Sequence, residues 1–597
     1  MADLDALLTD LGTRFGVLAE SNTYQLTVIA HNSDVAVGDL FLLPCKRGPH
    51  RFYIFRTTQY ANVLNRTIEV NDVARNKLTM PDSYLAEDLR EEQLIELKGL
   101  VLGYAQHEAA TDTWSFHRPR RLPQHLTDVY LVNPGNLKVP GIMRTLLGSQ
   151  LGEGLYLGDL LAGEQPLRGV PVCLPPFALS RHIGVFGRTG SGKSNLMMVL
   201  LRSILDHNRQ VSEGERSDAR VSILAIDPHD EFRNWHAAVG GAGGVGAIVG
   251  GYSAQQRAAL VEPFYYLTAK EIPAPGLERR ALLSRADLMP ADLISVMDFS
   301  EQQVSFATQY YADHGEQWVG RLFVGDTDAD DPDAGPQFLE ATIAAVQRRI
   351  GFLRVGHTRV FTPFDPAAGR PYDSLLPDII CALETGRVLL IDTTLMSELE
   401  QFLFTTVVAR VLFSLRKALR AAQSAADLER EIRQALGNDD NNGQVGMQSL
   451  ADALMDRLGE GRLPYLAGED LRTPDQLPFV NVVVEEAPSV LNPQRLRFGS
   501  VFRDISRQGR KFGIGLSVVS QQVSEIDQGV LTQLNTELNM ALGNENERRD
   551  AIRNASADLM GFERELQVMG KGQVLVSASY MDVPLPIQVP NFDDLGS

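Results

Sequence analysis

The sequence predicts an α/β protein with a β-rich N-terminal domain and a helical insertion in the α/β core. After residue 180, apolar runs that end in polar or acidic residues alternate with helical patterns, which is typical of a parallel sheet covered by helices. Short β-type runs separated by Gly, Pro and Asn fill much of the first 170 residues. Residues 292–311 and 335–355 carry long helical patterns that interrupt the α/β alternation.

The composition is that of a globular protein with several domains. The chain has 597 residues, more than one hydrophobic core accommodates, of which 44% are apolar and 22% are charged. No stretch approaches the roughly 18 apolar residues of a membrane span, and the N-terminus lacks the features of a signal peptide. Cys45, Cys173 and Cys381 lie far apart, which excludes a disulfide framework or a cysteine-rich zinc site. We therefore expect a cytoplasmic protein with free, buried thiols and no membrane segment.

The formal net charge of −19 argues against a broadly basic surface. It does not exclude a nucleic-acid ligand, because a local basic channel can hold DNA while the remaining surface stays acidic. Composition alone leaves this question open.

Residues 1–170 are predicted to form a separate N-terminal domain. A short helical pattern precedes several β-type runs, at residues 25–30, 39–43, 51–56, 96–104 and 129–132. This spacing is typical of a small barrel or sandwich. No residue pattern in the domain indicates catalysis, so we expect it to serve packing or partner docking.

A glycine-rich loop between a strand and a helix is the most specific motif in the chain. The apolar run 183–186 leads into residues 187–194, which match the pattern G-x-x-x-x-G-K-[ST] and precede an amphipathic helical pattern. Such a loop cradles phosphate oxygens, with Lys193 at the β- and γ-phosphates and the Ser194 hydroxyl on Mg²⁺. The predicted ATP-binding residues here are Gly187, Thr189, Gly190, Ser191, Gly192, Lys193, Ser194 and Asn195. The alternative is a strand–helix turn that binds nothing.

Acidic residues follow the next predicted strand, at residues 221–226. Because α/β folds build their sites at strand ends, these acidic residues, among them Asp227 and Glu231, are candidate site residues; a polar loop is the alternative. Residues 255–380 then read as a mainly helical insertion. In it, Arg348, Arg349 and Arg354 form a basic cluster that either contacts DNA or lies on a solvated helix face.

The core resumes at residue 381 and extends to about residue 555. A strand at 386–392 precedes a helix from about residue 397 to 422, and residues 437–446 read as a mobile loop.

The strand 479–484 ends in Glu485 and Glu486, an acidic pair typical of the second nucleotide motif of this class. We predict that Glu486 activates the attacking water and that Glu485 holds Mg²⁺ through water.

Basic side chains precede the last core strand, at Arg503, Arg507, Arg510 and Lys511. This cluster is expected to supply an arginine that completes the site of a neighbouring subunit or to contact DNA phosphates, the alternative being a solvated surface. After the strand 514–519, Gln521 is a candidate γ-phosphate sensor or simply a polar cap on the strand end. Residues 556–597 read as a C-terminal segment with one or two strands.

Taken together, these motifs resemble the HerA family of hexameric DNA translocases, which are relatives of FtsK. The matching segments are residues 181–194, Asp227-Pro228-His229-Asp230-Glu231-Phe232, Glu485-Glu486-Ala487, Gly509-Arg510-Lys511-Phe512-Gly513 and Ser520-Gln521-Gln522. The resemblance implies a RecA-like P-loop ATPase core at 171–254 and 381–555, a HAS-barrel-like N-terminal domain, a helical bundle at 255–380 and a C-terminal segment. Asp230 and Glu485 depart from the glycine and aspartate usual there, and neither change removes a group that hydrolysis needs.

The resemblance also implies a function. A homohexamer would hold ATP between subunits and double-stranded DNA in a central channel, working as a translocase or helicase with a NurA-type nuclease in DNA end processing and repair. By this resemblance, Lys193 binds phosphate, Ser194 binds Mg²⁺ and Glu486 activates the attacking water. Gln521 is the sensor, and Arg510 or Arg507 is the arginine finger. The alternative is a nucleotide-gated ring scaffold that licenses a partner effector, for example in phage defence. A small-molecule kinase would leave Gln521 and the arginines unexplained.

Overall fold

The computed structural model describes residues 8–22, 25–31, 34–45, 51–63, 94–108, 111, 113–118, 123–133, 135, 154–214, 220–236, 243–272, 276–324, 340–355, 358–437, 446–498, 500–581 and 583–595. Its internal contacts divide the chain into two compact units. The first comprises Met1–Pro175, Gly187–Leu196 and Glu537–Asp594, and the second Pro176–Phe186, Met197–Thr536 and Leu595–Ser597. Most of the loop predicted at 437–446, and the first residues of the predicted N-terminal helical pattern, lie outside the described residues.

The described strands are β1 (Gly12–Ser21), β2 (Gln25–Ala30), β3 (Leu40–Pro44), β4 (Arg51–Val63), β5 (Leu94–Glu108), β6 (Thr113–His117), β7 (Asp128–Val132), β8 (Leu155–Ala162), β9 (Gln165–Leu174), β10 (Ile183–Phe186), β11 (Val221–Asp227), β12 (Tyr266–Thr268), β13 (Glu278–Arg280), β14 (Leu283–Ser284), β15 (Phe361–Thr362), β16 (Val388–Asp392), β17 (Leu466–Ala467), β18 (Asp470–Leu471), β19 (Phe479–Val484), β20 (Ile514–Ser520), β21 (Thr536–Asn539), β22 (Gln573–Ala578) and β23 (Leu585–Gln588). The described α-helices are α1 (Lys193–Glu213), α2 (Glu231–Asn234), α3 (Gly244–Gly250), α4 (Ala254–Leu260), α5 (Pro290–Val296), α6 (Glu301–His314), α7 (Trp318–Val324), α8 (Glu340–Arg349), α9 (Phe352–Val355), α10 (Leu376–Glu384), α11 (Glu398–Ala421), α12 (Ala425–Ala435), α13 (Gln448–Gly459), α14 (Pro488–Leu491), α15 (Val501–Gln508), α16 (Gln528–Leu531), α17 (Glu545–Asn554) and α18 (Glu563–Val568).

The N-terminal strands of the first unit close into an antiparallel barrel. Its order is β1, β2, β5, β4, β3, β7 and back to β1, with β6 added beside β5. In β2, Leu26, Val28 and Ala30 are buried while the residues between them are half-buried, the alternation of a strand with one face on a core. Phe41 and Phe55 pack in that core with ring centroids 5.6 Å apart. The barrel alternative is therefore confirmed, because β2 pairs with both β1 and β5.

The first unit also contains the C-terminal part of the chain. There the strand order is β21-β22-β23-β8-β9, with antiparallel pairing from β22 to β9. The Arg56 guanidinium of β4 bonds the Glu565 carboxylate of α18 at 2.5 and 3.2 Å and the Leu161 carbonyl at 3.0 Å. Both charged side chains are almost fully buried. Since a buried charge is tolerated only with its partner, this pair fixes α18 against the barrel.

Parallel strands form the main sheet of the second unit, in the order β13-β12-β16-β11-β19-β20-β10. Every residue of β10, β11, β16 and β20 is buried, which is the pattern of a sheet covered on both faces. The core strands predicted from residue 183 onward are therefore confirmed, with bounds that differ by no more than a few residues at either end. The α/β class of the core is likewise confirmed.

The insertion contains more strand than predicted. Strands β12 and β13 come from this part of the sequence and extend the parallel sheet beyond β16. The pattern at 292–311 forms two helices rather than one, because Ser300 caps α6 by accepting the Gln303 N–H at 3.4 Å. The pattern at 335–355 forms α8 and α9 within its described part. The helix predicted from about residue 397 is confirmed as α11, with Ser397 as its N-cap.

A fully buried ion pair fixes the end of α11. Arg416 lies opposite Glu384 of α10 with 2.7 Å between the guanidinium nitrogen and the carboxylate oxygen. The guanidinium also donates to the carbonyl oxygens of Pro474, Pro478 and Phe512 at 2.9–3.2 Å. Such additional bonds are what make a buried pair tolerable. The pair thereby ties the turn that contains Phe512 to α11.

His182 connects β10 to two neighbouring elements. Its Nδ1 accepts the Leu516 N–H of β20 at 3.1 Å, and its ring also bonds the Ser506 backbone of α15. Burial lowers the pKa of His182 to about 4, although the Ser506 bond opposes this shift. The imidazole is therefore neutral near pH 7, which its acceptor role at Nδ1 requires.

The cysteines are free thiols. Cys381 is buried as expected, whereas the expected burial is wrong for Cys45 and Cys173, which are half-buried. Within the described ranges, no helix is both long and apolar enough to cross a bilayer.

Glu537 of β21 gives a prediction about pH. Its carboxyl accepts the Ser556 N–H at 2.9 Å and the Asn539 side chain at 3.4 Å, and burial raises its pKa to about 7 despite these bonds. The folded protein therefore holds a proton that the unfolded chain, with a glutamate pKa of about 4.3, releases. Stability is thus lost as the pH rises from about 4.3 through about 7.

We predict that Glu537→Gln, which retains an acceptor for Ser556, raises the melting temperature more at pH 8 than at pH 5. The measurement is thermal unfolding of wild type and variant across that range. Glu563→Gln, at an exposed position of α18, serves as the control and should follow the wild type at every pH. Equal shifts of the Glu537 variant at both pH values would contradict the assignment.

Candidate functional site

The predicted phosphate loop directly follows β10 and opens α1. Gly190 and Gly192 adopt φ values of 76° and 108°, which residues with a side chain rarely take, so glycine is required at both. The Lys193 Nζ folds back and donates to the carbonyl oxygens of Gly187 at 2.7 Å and Arg188 at 3.3 Å. The loop thus stands at the N-terminus of a 21-residue helix, where backbone N–H groups and the helix dipole favour anions. The predicted ligand side chains at the helix start are half-buried, namely those of Lys193, Ser194 and Asn195, whereas Thr189 is exposed.

The back of this loop packs against the C-terminal part of the first unit. The buried Ser191 hydroxyl donates to the Met540 sulfur at 3.6 Å, and the Ser191 carbonyl accepts the Gly572 N–H at 2.9 Å. A Cβ on Gly187 would lie only 2.8 Å from the Met540 Cβ, so a larger residue would displace the loop. The hydroxyl and the carbonyl of Ser191 are therefore both engaged by the C-terminal part of the first unit, and they hold the loop in place.

The second unit brings polar strand ends to one edge of its parallel sheet. The register pairs Phe186, the last residue of β10, with Ser520, the last residue of β20. β19 lies between β20 and β11, and all four strands run in the same direction. Asp227, Glu485 and Gln521, which end or follow three of these strands, therefore stand at the same carboxyl edge.

Asp227 caps the turn that follows β11. Its carboxylate accepts the N–H groups of His229, Glu231 and Phe232 at 3.3, 3.1 and 2.8 Å. Burial raises the pKa of Asp227 to about 6, although these hydrogen bonds oppose the shift. Asp227 therefore organises the turn, while the Glu231 side chain is exposed.

Asp230 adopts a backbone conformation that suits the glycine expected here from the resemblance. Its φ is 55°, in the left-handed region that Gly adopts freely and Asp tolerates better than most residues. Its carboxylate accepts the Tyr266 hydroxyl and the Lys270 ammonium, each at 2.8 Å. These bonds compensate for the backbone strain, so the substitution is accommodated.

Lys270 and Tyr266 belong to a polar cluster that sequence reasoning missed. Its centre is Asp392 at the end of β16, which accepts Thr268 and Thr394 hydroxyls at 2.6 Å and faces Lys270 at 2.9 Å. Burial works against ionisation of Asp392, but the bonds from Lys270, Thr268 and Thr394 hold its pKa below the usual value. The one sequence signal for this cluster was an aspartate at the end of an apolar strand.

The predicted catalytic pair lies in a strained turn after β19. Glu486 has a φ of 47° and an exposed side chain, whereas Glu485 is half-buried. Left-handed backbone in a residue with a side chain costs about 1 kcal/mol or more and persists where neighbours fix it. The buried Ala487 does so by donating its N–H to the Val519 carbonyl of β20 at 3.1 Å. The turn thus holds the Glu486 carboxylate outward at the sheet edge.

Gln521 follows β20 directly and is half-buried. The Ser520 hydroxyl beside it bonds both the N–H and the carbonyl of Gln522, at 2.9 and 2.8 Å. These bonds fix the chain as it leaves the strand, at the residue predicted to be the sensor.

Arg507 and Arg510 are both exposed, Arg507 at the end of α15 and Arg510 in the 3₁₀ turn Gly509–Phe512. α11 holds this turn, since Arg416 bonds the Phe512 carbonyl and Arg420 bonds the Lys511 carbonyl, both at 3.2 Å. The two residues that follow Arg510 are therefore fixed to α11.

The other predicted basic cluster lies on α8 and α9. Arg348, Arg349 and Arg354 are exposed, and Arg349 lies 5.7 Å from the ring centroid of Phe299. Arg349 therefore stacks on an aromatic ring. Whether the three arginines contact DNA or only form a solvated helix face stays a prediction.

Sequence comparison identifies relatives of this chain. The family model described as "Helicase HerA, central domain" matches residues 155–332. The DNA double-strand break repair helicase HerA of Pyrococcus furiosus is 23% identical over 70% of this chain, and the alignment covers 66% of that protein. A probable DNA double-strand break repair helicase HerA of Methanocaldococcus jannaschii is 30% identical over 19% of this chain and 23% of its own length. The chain thus spans less than two thirds of each of these relatives.

Solved structures were compared as well. The bacterial conjugative coupling protein TrwB aligns with a TM-score of 0.42 and 12% identity, covering 77% of this chain and 92% of that one. VirB4 of Thermoanaerobacter pseudethanolicus aligns with a TM-score of 0.40 and 12% identity over 74% and 96% of the two chains. The family match and the Pyrococcus furiosus relative confirm that this chain is similar to the HerA helicases, as its motifs predicted.

Proposed function

We propose that this chain is an ATP hydrolase that moves double-stranded DNA. The observation that carries the proposal is the phosphate loop, in which left-handed glycines and Lys193 stand where a buried parallel strand meets a long helix. The acidic pair Glu485–Glu486 follows another strand of the same parallel sheet, as hydrolysis of a bound nucleotide requires. The similarity to proteins named as DNA repair helicases supports the choice of DNA.

The residues present fit a magnesium nucleotide. A Cβ added to Gly190 would meet no atom within 4 Å, so that face of the loop is open to a phosphate. Mg²⁺ usually takes one or two protein oxygens beside waters and substrate phosphates. The Ser194 hydroxyl would supply a protein oxygen, and Glu485 would hold the ion through a water. When bound, the ion would neutralise charge that develops on the phosphate oxygens.

The remaining residues have distinct roles in this proposal. Lys193 and the loop N–H groups hold phosphate, and Glu486 takes the proton of the attacking water. Gln521 orients that water, while Asp227 and Glu231 lie near the nucleotide and shape the neighbouring turn. The boundaries of the ATPase core at 171–254 and 381–555, of the helical bundle at 255–380 and of the C-terminal segment at 556–597 are also proposals.

The proposal extends to assembly and partners. A ring of six would place Arg510 of one subunit at the ATP of the next and DNA in a central channel, with a NurA-type nuclease docking on the ring in DNA end processing. The cytoplasm is the proposed location. The closed N-terminal barrel, which has its own core, favours one second candidate, a nucleotide-gated scaffold that licenses a partner effector, for example in phage defence.

The first prediction concerns Glu486. We expect Glu486→Gln to bind ATP with wild-type affinity and to lower kcat about a hundredfold or more, because the water loses its general base. Steady-state phosphate release and equilibrium ATP binding measure the two quantities. Glu469→Gln, at an exposed turn, is the control and should hydrolyse ATP at the wild-type rate. A normal kcat in the Glu486 variant would sink this assignment.

The second prediction tests whether Arg510 acts on a neighbouring subunit. Arg510→Ala should lower kcat by roughly a thousandfold while ATP affinity is retained. Mixing it with Lys193→Ala subunits, which keep Arg510 but lack the phosphate lysine, should restore hydrolysis. Arg507→Ala and Arg553→Ala are the matched comparisons, and both should stay near the wild-type rate. Rescue of Arg507→Ala instead would move the finger to that residue.

The third prediction separates the motor from the scaffold. Linear duplex DNA should stimulate the ATPase rate several-fold, and this stimulation should fall steeply between about 50 and about 300 mM salt, because phosphate contacts release counterions. The measurement is phosphate release across a salt series with and without DNA. A rate indifferent to DNA at low salt would favour the effector-licensing scaffold.

A further inference from the structure

The C-terminal segment contacts the phosphate loop and its helix at two separate points. Gly572 donates its N–H to the Ser191 carbonyl at 2.9 Å. The Asn195 side chain, in the first turn of α1, donates to the Pro590 carbonyl and accepts the Phe592 N–H, each at 2.9 Å. Both polar ends of the Asn195 amide are thus engaged by a segment almost 400 residues further along the chain.

These contacts belong to an ordered, buried arrangement. The side chains of Val589 and Phe592 are 3% and 7% exposed. Val589 donates its N–H to the Gly572 carbonyl at 2.9 Å, which joins the two contact points to each other. Gly572 has a φ of 76°, and a Cβ there would lie 2.9 Å from the Gln588 Nε2, so glycine permits this approach. Gly572 and residues 588–592 therefore act as one piece, which we call the C-terminal clamp.

From this geometry we infer that the C-terminal clamp positions the phosphate loop, and that docking of the clamp is coupled to nucleotide binding. Asn195 acts as a positioning residue that connects α1 to the clamp, rather than as a ligand of the nucleotide. The inference rests on the proposed ATP site.

The physical reason is the cost of ordering a glycine-rich loop. Gly187, Gly190 and Gly192 give the free loop many backbone states, and a ligand must select the one that fits. Apparent affinity falls in proportion to the fraction of molecules in the competent state. Contacts at Ser191 and Asn195 raise that fraction before any phosphate arrives.

Coupling of this kind is reciprocal. If clamp docking tightens nucleotide binding, then nucleotide must stabilise clamp docking by the same factor. The Phe592 amide hydrogen, which bonds the Asn195 Oδ1, reports on docking directly, because its exchange with solvent requires that bond to open.

The test uses the full-length protein and a double-mutant cycle. Asn195→Ala removes the side-chain amide that bonds the clamp. Phe592→Ala removes the buried aromatic ring that anchors the clamp, and the proposed function assigns Phe592 no role in binding the nucleotide. Each should raise the KM for Mg·ATP about tenfold, the size expected from losing one or two hydrogen bonds, with kcat within about twofold. The double variant should match the single variants, since both break one connection. Phe592→Leu, which keeps an apolar anchor, and Asp594→Asn, at an exposed position, should retain the wild-type KM.

Hydrogen exchange supplies the second readout. In the wild type, Mg·ADP should slow exchange of the Phe592 amide, and in Asn195→Ala that amide should exchange fast whether or not Mg·ADP is present. A wild-type KM in Phe592→Ala, or KM effects that multiply in the double variant, would overturn the inference and leave Asn195 as a direct ligand. Phe592 exchange insensitive to Mg·ADP would also overturn it. Absence of saturable ATP hydrolysis in the wild type would contradict the proposed function itself. In that case, the rate of Phe592 amide exchange in Asn195→Ala would still show whether Asn195 holds the clamp in place.

Discussion

The in-register parallel pairing of β10, β20, β19 and β11 is the constraint on which the candidate site depends. Because all four strands run in one direction, their carboxyl ends fall at one edge. Residues that are hundreds of positions apart in the sequence, such as Asp227 and Gln521, therefore reach the same edge. His182 reinforces the arrangement by accepting a β20 N–H as a neutral imidazole, so burial of this histidine without charge is part of how the sheet is held.

Two residues of the edge turns store backbone strain, and each is stabilised differently. Asp230 is held by Tyr266 and Lys270, whereas Glu486 is held through the hydrogen bond of the following residue to β20. Strain of this type survives only where surrounding contacts outweigh its cost of about 1–3 kcal/mol. At Glu486 the result is an exposed carboxylate on a fixed backbone, which suits its proposed role of activating a water molecule.

The local features of this site were predictable from the sequence, and the long-range ones were not. The strand–loop–helix around Lys193 and the strand before Glu485 follow from apolar runs, glycines and helical periodicity, which are properties of neighbouring residues. The cluster around Asp392 and the contact of Asn195 with Phe592 join segments far apart in sequence, and no spacing rule encodes such pairings. Strands β12 and β13 were missed because they are three residues each, too short for a period to emerge inside a helical stretch.

The turn that carries the proposed finger Arg510 is held by a buried charged pair. Arg510 is solvent-exposed, yet the turn that carries it ends at Phe512, whose carbonyl is bound by the fully buried Arg416. An arginine that must reach a charged phosphate gains little if its backbone is free to move, because ordering the turn at the moment of reaction would cost conformational entropy. Because the Arg416–Glu384 pair forms when the protein folds, the turn is already ordered before the reaction. Buried charge here is thus better explained by the placement of the turn than by a gain in stability, since a well-packed apolar pair would stabilise the fold at least as well.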